Sequence, residues 1–448
     1  MIRDLTRGRP MKLILQFGVP ILLGLLFQQM YNVVDTAIVG KTLGGNALAA
    51  VGSTGAINFL VVGFCIGICS GFAIPIAQRF GARDYKALRR YVIGSMWCTL
   101  FFAVAVTVLT LATCGYILRL MQTPEDIFDL AFTYIATIYA GLSGYMLYNM
   151  AAGILRSLGD SRTPVLWLVA ASVVNVVLDL VFILKFNMGV FGAAFATILS
   201  QYMAGFGCLW KLCRGFEVLR FTPEDWKWDW HKIGHLCALG LPMGLQYSIT
   251  AIGSIMIQTA VNVLGTDFIT ATTAASKVSM FICCPFDAMG STMATYGGQN
   301  VGAGKWERLH QGVGACTVLG LAYSAIALVI VLFGGNALVM MFLDNKSAHL
   351  APLAERYLIT LVAFYFPLAL VNIFRFMIQG MGFSPLATLA GALEMIGRGA
   401  VAYMVPWLGY SAACFASPAA WLLADAFLVP AYFYCYKKLI RLYSSGEK

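Results

Sequence analysis

Two carboxylates stand where an apolar chain should carry none. Asp35 and Asp179 each lie inside a long apolar run, and an ionisable side chain at that depth is costly unless it is used. Asp179 follows Asn175 by four residues, one turn along the same helix face, so the amide can satisfy the acid. Counting inward from the flanking polar residues at the helical rise places Asp35 about 9 Å from Lys41 and Asp179 about 9 Å from Lys185. On the same count Tyr134 lies about 8 Å beyond Asp129 and Thr197 about 15 Å beyond Asn187. Two acids with an amide, a hydroxyl and a phenol at similar depth suit one shared proton or one small monovalent cation. Like charges held together raise one acid's affinity for a proton, and oxygens ligate a hard ion. Polar bridging between helices would explain either acid alone, but not two at matched depth.

The elements that must position these residues are membrane spans. The chain has 448 residues, 60% hydrophobic and only 11% charged, with a mean hydropathy of +0.79. Soluble domains carry roughly a quarter charged residues, so this composition belongs in a bilayer. Apolar runs long enough to cross about 30 Å of hydrocarbon fall near 13–39, 47–77, 91–118, 130–155, 164–184 and 188–210. Six more fall near 236–264, 268–298, 311–343, 352–379, 386–408 and 412–436. They are continuously apolar and do not alternate, which excludes a β-barrel. Prolines inside them, such as Pro20, Pro75, Pro242, Pro285 and Pro367, predict bent helices around a cavity.

The second six repeat the first. Gly18, Val19, Pro20 returns as Gly240, Leu241, Pro242, Leu43 and Gly44 return as Leu264 and Gly265, and Arg156 to Gly159 is echoed by Gln379 to Gly382. The fold class expected is therefore all-α: a polytopic membrane protein of twelve transmembrane helices in two six-helix lobes. An even number of spans per lobe inserts both the same way up, related by a pseudo-two-fold axis along the membrane normal. The lobes are residues 1–210 and 236–448, joined by a cytoplasmic linker at 211–235 whose Trp226, Trp228 and Trp230 are expected at headgroup level.

Basic residues then set the orientation. Arg3, Arg7, Arg9 and Lys12 precede the first span, and the loop after span two carries Arg79, Arg83, Lys86, Arg89 and Arg90. Lys437, Lys438 and Arg441 follow the last span, and the intervening gaps carry little positive charge. The positive-inside rule puts both termini in the cytoplasm, with the first span read as a retained helix rather than a cleaved signal. The expected location is the cytoplasmic (inner) membrane of a bacterium. A net charge of +10 scattered over short loops is topology and no nucleic-acid face. Twelve cysteines fall mostly within spans as small hydrophobes, His231, His235, His310 and His349 have no ligand spacing, and no phosphate-binding loop appears. No metal, no cofactor and no enzymatic site is expected, since no nucleophile and base stand at plausible spacing.

Span seven lacks the acid. Gln258 stands where a copy of Asp35 would fall, and Gln246, Thr250, Ser254 and Gln258 recur at steps of four, as a cavity wall would. Gln28 and Asn32 of span one are further cavity candidates. Glu394 and Arg398 have the spacing of an intrahelical ion pair, whereas Lys277, Asp287 and Asp425 have no assigned use.

The Gly18 opening with its copy, the run Tyr31 to Thr36, the loop Gln78 to Asp84, Leu155 to Pro164, Asn175 to Asp179 and Gly192 to Thr197 together resemble the multidrug and toxic compound extrusion family. The resemblance runs over essentially the whole chain and is nearest the DNA-damage-inducible (DinF-like) type. It implies secondary-active export of amphipathic, often cationic organic compounds in exchange for inward H+ or Na+ by alternating access. That type has an acid on helix one and an Asn-x-x-x-Asp on helix five, matched here by Asp35, Asn175 and Asp179, with Thr197 as a further ligand. Another branch uses acids on helices seven and ten, where this chain has Thr250 or Gln258 and Asn372, so that site is not carried over. The alternative is a flippase of the same superfamily for lipid-linked oligosaccharides, which would need a strongly cationic cavity. The expected partners are small-molecule substrates and the bilayer, with the protein a monomer.

Overall fold

The computed structural model describes residues 3–343 and 345–444, which form helices and, among the described residues, no strand. The helices are α1 (Pro10–Leu43), α2 (Gly45–Gly81), α3 (Tyr85–Leu120), α4 (Glu125–Ala140), α5 (Leu142–Ser157), α6 (Arg162–Leu180) and α7 (Gly189–Gly215). After the linker come α8 (Trp230–Asn262), α9 (Thr266–Gly302), α10 (Trp306–Met340), α11 (Ala351–Ala363), α12 (Tyr365–Gly380), α13 (Ser384–Tyr403), α14 (Val405–Leu408) and α15 (Tyr410–Ser444). Nine helices are long and apolar enough to cross a bilayer by themselves among the described residues. Two more spans are bent pairs, α4 with α5 at 43° and α11 with α12 at 47°. The twelfth is α13 continued by α14, whose buried Glu394 and Arg398 lower its hydropathy without shortening it.

The spans do not break at the prolines of the long helices. α1, α2, α8 and α9 run unbroken through Pro20, Pro75, Pro242 and Pro285. The breaks fall at Gly141, where a Cβ would lie 2.3 Å from Ile198, and at Phe364, ahead of Pro367. A missing side chain lets another helix press in, and a missing N–H frees a carbonyl nearby.

The repeat shows where the chain turns. Gly44 and Gly265, between α1 and α2 and between α8 and α9, have φ of 86° and 107°. Gly159 and Gly382, after α5 and α12, have 89° and 93°. An L side chain is strained in that region, which is why each copy keeps glycine there.

Packing divides the chain differently from the sequence boundaries at 210 and 236. One unit is built on Leu23–Ser248; the other takes Leu5–Leu22 together with the chain from Ile249. The first half of α8 stays with unit one because it crosses α2 glycine on glycine. A Cβ on Gly67 would meet the Met243 carbonyl at 2.5 Å, and one on Gly71 would meet Gly240 Cα at 2.5 Å. Small residues four apart on both helices let the backbones touch. In unit two the segment before α1 is tied down: Leu5 N–H donates to Gln299 Oε1 at 2.9 Å, and Lys305 Nζ donates to the Thr6 carbonyl at 2.7 Å. The Thr292 hydroxyl lies 3.0 Å from where a Cβ on Gly18 would be.

The linker is ordered by its own polar groups. Thr222 and Asp225 form a capping box around a short 3₁₀ turn, and Arg89 of α3 donates to Asp225 at 2.8 Å. Trp226, Trp228 and Trp230 are exposed, with Trp228 stacked edge-on to Trp230 at 5.1 Å. Among the described residues all twelve cysteines are free thiols and no three metal-binding side chains cluster.

Candidate functional site

Helix α6 brings the amide and one acid to the same place. Asn175 and Asp179 are 1% and 0% exposed, one turn apart as their spacing predicts. The helix then widens into a π turn over Val181–Lys185 directly after Asp179. Such turns interrupt the regular ladder and recur at functional positions. Helix α7 supplies Thr197, buried, whose hydroxyl donates to the Ala193 carbonyl at 3.1 Å and accepts from Asn175 Nδ2 at 3.4 Å. Helix α1 supplies Asp35, half-buried, and one turn earlier Tyr31, whose hydroxyl lies 3.3 Å from Thr197 Oγ1.

Asp35 and Asp179 face each other within hydrogen-bonding reach. Asp35 Oδ1, both carboxylate oxygens of Asp179 and Asn175 Oδ1 are enclosed without a hydrogen-bond donor. A buried acceptor left unpaired is expensive, and two facing carboxylates cannot both stay charged cheaply. One proton between them, or one monovalent cation held by the same oxygens, removes both penalties. Tyr134 of α4 is buried within electrostatic reach of both acids, and Tyr145 of α5 within reach of Asp35.

All five residues singled out in the sequence as ion ligands, Asp35, Asn175, Asp179, Thr197 and Tyr134, therefore come together in unit one. Two members escaped the sequence reading. Tyr31 carried a signal, since it precedes Asp35 by one helical turn. Tyr145 carried none, since nothing in its spacing links α5 to Asp35 of α1.

The polar stripe of α8 does not behave as one surface. Gln246 is buried and Thr250 half-buried, whereas Ser254 and Gln258 are exposed. Ser254 Oγ donates to the Thr250 carbonyl at 3.2 Å, and Gln258 Nε2 to Asn262 Oδ1 at 2.9 Å. On α1, Gln28 is half-buried and Asn32 is exposed, donating to Gln29 Oε1 at 3.2 Å.

Unit two carries a different charge arrangement. Arg398 Nη2 approaches Glu394 Oε2 at 3.3 Å, the intrahelical pair that the spacing predicts, and Arg375 of α12 contacts the other carboxylate oxygen. All three are buried. The acid bridges α12 to α13, a tie that sequence separation concealed.

Comparison with known proteins joins this geometry to a family. The MatE family model matches residues 20–181 and again 242–404, one copy per half. The chain belongs to the MatE family. Among relatives it is 30% identical to the probable multidrug resistance protein YpnP of Bacillus subtilis over 376 residues, 82% of each chain. It is 22% identical to the DNA damage-inducible protein F of Escherichia coli over 430 residues, 93% of this chain and 89% of that one. Its fold matches a crystal structure of MATE in complex with MaL6 with a TM-score of 0.90 at 22% identity, covering 98% and 99% of the two chains. MatE proteins are transporters, so the chain is a membrane transporter and not an enzyme.

Proposed function

We propose that this MatE protein is an antiporter that exports amphipathic, often cationic organic compounds and is driven by inward H+ entering at the Asp35 and Asp179 pair. The observation that carries the reading is the set of enclosed oxygens on Asp35, Asp179 and Asn175 that no donor satisfies. A proton neutralises one acid and turns it into a donor for the other, so proton uptake changes the charge and the hydrogen bonding of α1 together. Helix α1 has its first half in unit two and its acid-bearing half in unit one, which lets an ion bound at Asp35 act on a helix that both units hold. Release of substrate outward and of the proton inward then complete an alternating-access cycle. Each net charge moved inward supplies about 2.3 kcal/mol per 100 mV, enough for roughly a 50-fold gradient of a neutral substrate, whereas one-for-one exchange with a monovalent cation moves no net charge and draws on the pH gradient. Both termini are cytoplasmic in this reading, the membrane is the bacterial inner membrane, and the working unit is a monomer.

Sodium can use the same oxygens, and one experiment separates the two ions. Purified protein in liposomes is given a pH gradient or a sodium gradient, one at a time. Substrate flux that persists without sodium and stops when pH gradient and potential are collapsed supports the proton. Flux that requires sodium and ignores the pH gradient overturns proton coupling while leaving Asp35 and Asp179 as ligands. A lipid-linked oligosaccharide flippase would need cations at this site, where unit one offers acids.

A further inference from the structure

Two thiols that the ion site does not use meet between α3 and α8, both within unit one. Cys98 of α3 and Cys237 of α8 lie within hydrogen-bonding reach of each other. Theirs is the third contact in a row along this pair of helices. On the two preceding turns of α3, the Tyr91 hydroxyl lies 2.9 Å from His235 Nδ1, and a Cβ on Gly94 would stand 3.0 Å from Leu236 Cδ1. The small residue at 94 is what lets α8 come this near. Helix α8 is also held on α2 by the glycine crossing at Gly67 and Gly71. The two thiols are therefore kept together by backbone fit and not by the swing of flexible side chains.

Geometry separates this pair from the protein's other thiols. A disulfide needs Cβ atoms about 3.5–4.5 Å apart. Cys65 and Cys69 stand one turn apart on α2, where Cβ atoms are about 5–6 Å apart, so they cannot join without distorting the helix. Cys283 and Cys284 are neighbours on α9 and point about 100° apart. Cys98 and Cys237 come from different helices, so the crossing alone sets their separation. Cys98 is buried and Cys237 half-buried, which lets a small reagent reach Cys237 first with Cys98 behind it.

We propose that Cys98 and Cys237 are a reversible redox modification site that a hydroperoxide closes into a disulfide. The Cys237 sulfur attacks hydrogen peroxide, so that an S–O bond forms, the O–O bond breaks and one water leaves with the thiol proton. The Cys98 sulfur then attacks the Cys237 sulfur, so that the S–S bond forms, the S–O bond breaks and a second water leaves with the second thiol proton. The two thiols give up two electrons and the peroxide takes them. A dithiol reductant restores both thiols by exchange. Once formed, the bond fastens the start of α8, directly after the linker, to α3 and closes a loop of about 140 residues. A cross-link of this kind raises Tm by about 4–8 °C in a unit of this size. The site lies apart from the ion pair and does not depend on the export reading.

The test uses the purified full-length protein carrying Cys213→Ala, which removes an exposed thiol that peroxide would also attack. The protein is treated with hydrogen peroxide, denatured and alkylated with N-ethylmaleimide, and its intact mass is measured. With one of the twelve cysteines replaced, eleven adducts are expected before peroxide and nine after it, with dithiothreitol restoring eleven. Peptide mapping should place the bond between Cys98 and Cys237. Adding Cys237→Ala should hold the adduct count unchanged through the same exposure. Adding Cys98→Ala instead leaves the sulfenic acid without a partner, and dimedone should trap it at Cys237. Peroxide should raise Tm by about 4–8 °C, reversibly, and in neither of these variants. An unchanged adduct count, a bond mapped to other cysteines, a loss that dithiothreitol does not reverse or a bond formed without a rise in Tm would overturn the proposal. If either added substitution prevents folding, the adduct count, the mapped bond and its reversal in the Cys213→Ala protein decide the matter.

Discussion

Replacing Gly71 by alanine tests the glycine crossing that holds the first half of α8 to unit one. The added Cβ would stand 2.5 Å from Gly240 Cα, 2.8 Å from Gly240 N and 2.8 Å from the Leu239 carbonyl, all backbone. No side chain can rotate away, so the helices must part by about 0.9 Å to reach the 3.4 Å at which ordinary contact begins. Overpacking of this kind costs about 1–3 kcal/mol. Spread over the roughly 230 residues of unit one, an unfolding entropy near 2.1 cal/mol/K per residue makes that a fall of about 2–6 °C in Tm. Gly55→Ala on the same helix is the control, because a Cβ there meets nothing within 4 Å. That variant should gain up to about 1 kcal/mol from reduced backbone freedom in the unfolded chain. Thermal unfolding of both variants in the same detergent, read by tryptophan fluorescence, decides the matter. If Gly71→Ala unfolds at or above the temperature of Gly55→Ala, the close crossing is not what binds α8 to α2.

Three further outcomes are expected. Asp35→Asn keeps the size and hydrogen bonding of the acid but takes up no proton, so drug resistance should drop to that of cells lacking the protein while Tm holds or rises; full resistance at equal expression would sink the assignment. Glu394→Gln removes the carboxylate that Arg375 and Arg398 share and should cost about 3–5 kcal/mol in unit two, with part of the loss recovered by adding Arg398→Met; an unchanged Tm would mean the bridge contributes nothing. The linker should respond to acid. Burial by itself would raise the Asp225 carboxyl, but the Thr222 N–H, the Arg89 guanidinium and the Thr222 hydroxyl outweigh it and hold it below the ordinary carboxylate range. Its contribution is therefore complete above the unfolded value of about 3.9 and lost as pH falls through the lower folded value. Protection factors of residues 217–229, which remove the intrinsic pH dependence of amide exchange, should be high at pH 5 to 7 and fall only in strong acid, whereas Asp225→Asn should lower them throughout. Equal exchange in parent and variant at neutral pH would remove Asp225 from the account.

By itself the sequence determined whatever neighbouring residues write locally or periodically. Apolar length gave the spans, because a bilayer demands about 20 apolar residues whatever they pack against. Four-residue spacing put Asn175 with Asp179, and Glu394 with Arg398, because one helical turn returns a side chain to the same face. The doubled Leu-Gly pairs located both turns after α1 and α8, since glycine alone takes their positive φ without strain. The tertiary structure decided everything that depends on which faces of distant helices meet. It turned Asp35 toward Asp179, added Tyr31 and Tyr145 to the site, opened a π turn beside Asp179 and gave Arg375 to Glu394. It also moved half of α1 and half of α8 out of the lobes that chain order assigns them. The reason is physical. Spans, turns and helix faces follow from short-range sterics and from transfer of single residues into lipid, whereas the choice of helix partners rests on backbone fit at a few glycines. That fit is set by shape on both sides of a crossing, and neither helix records the shape of the other.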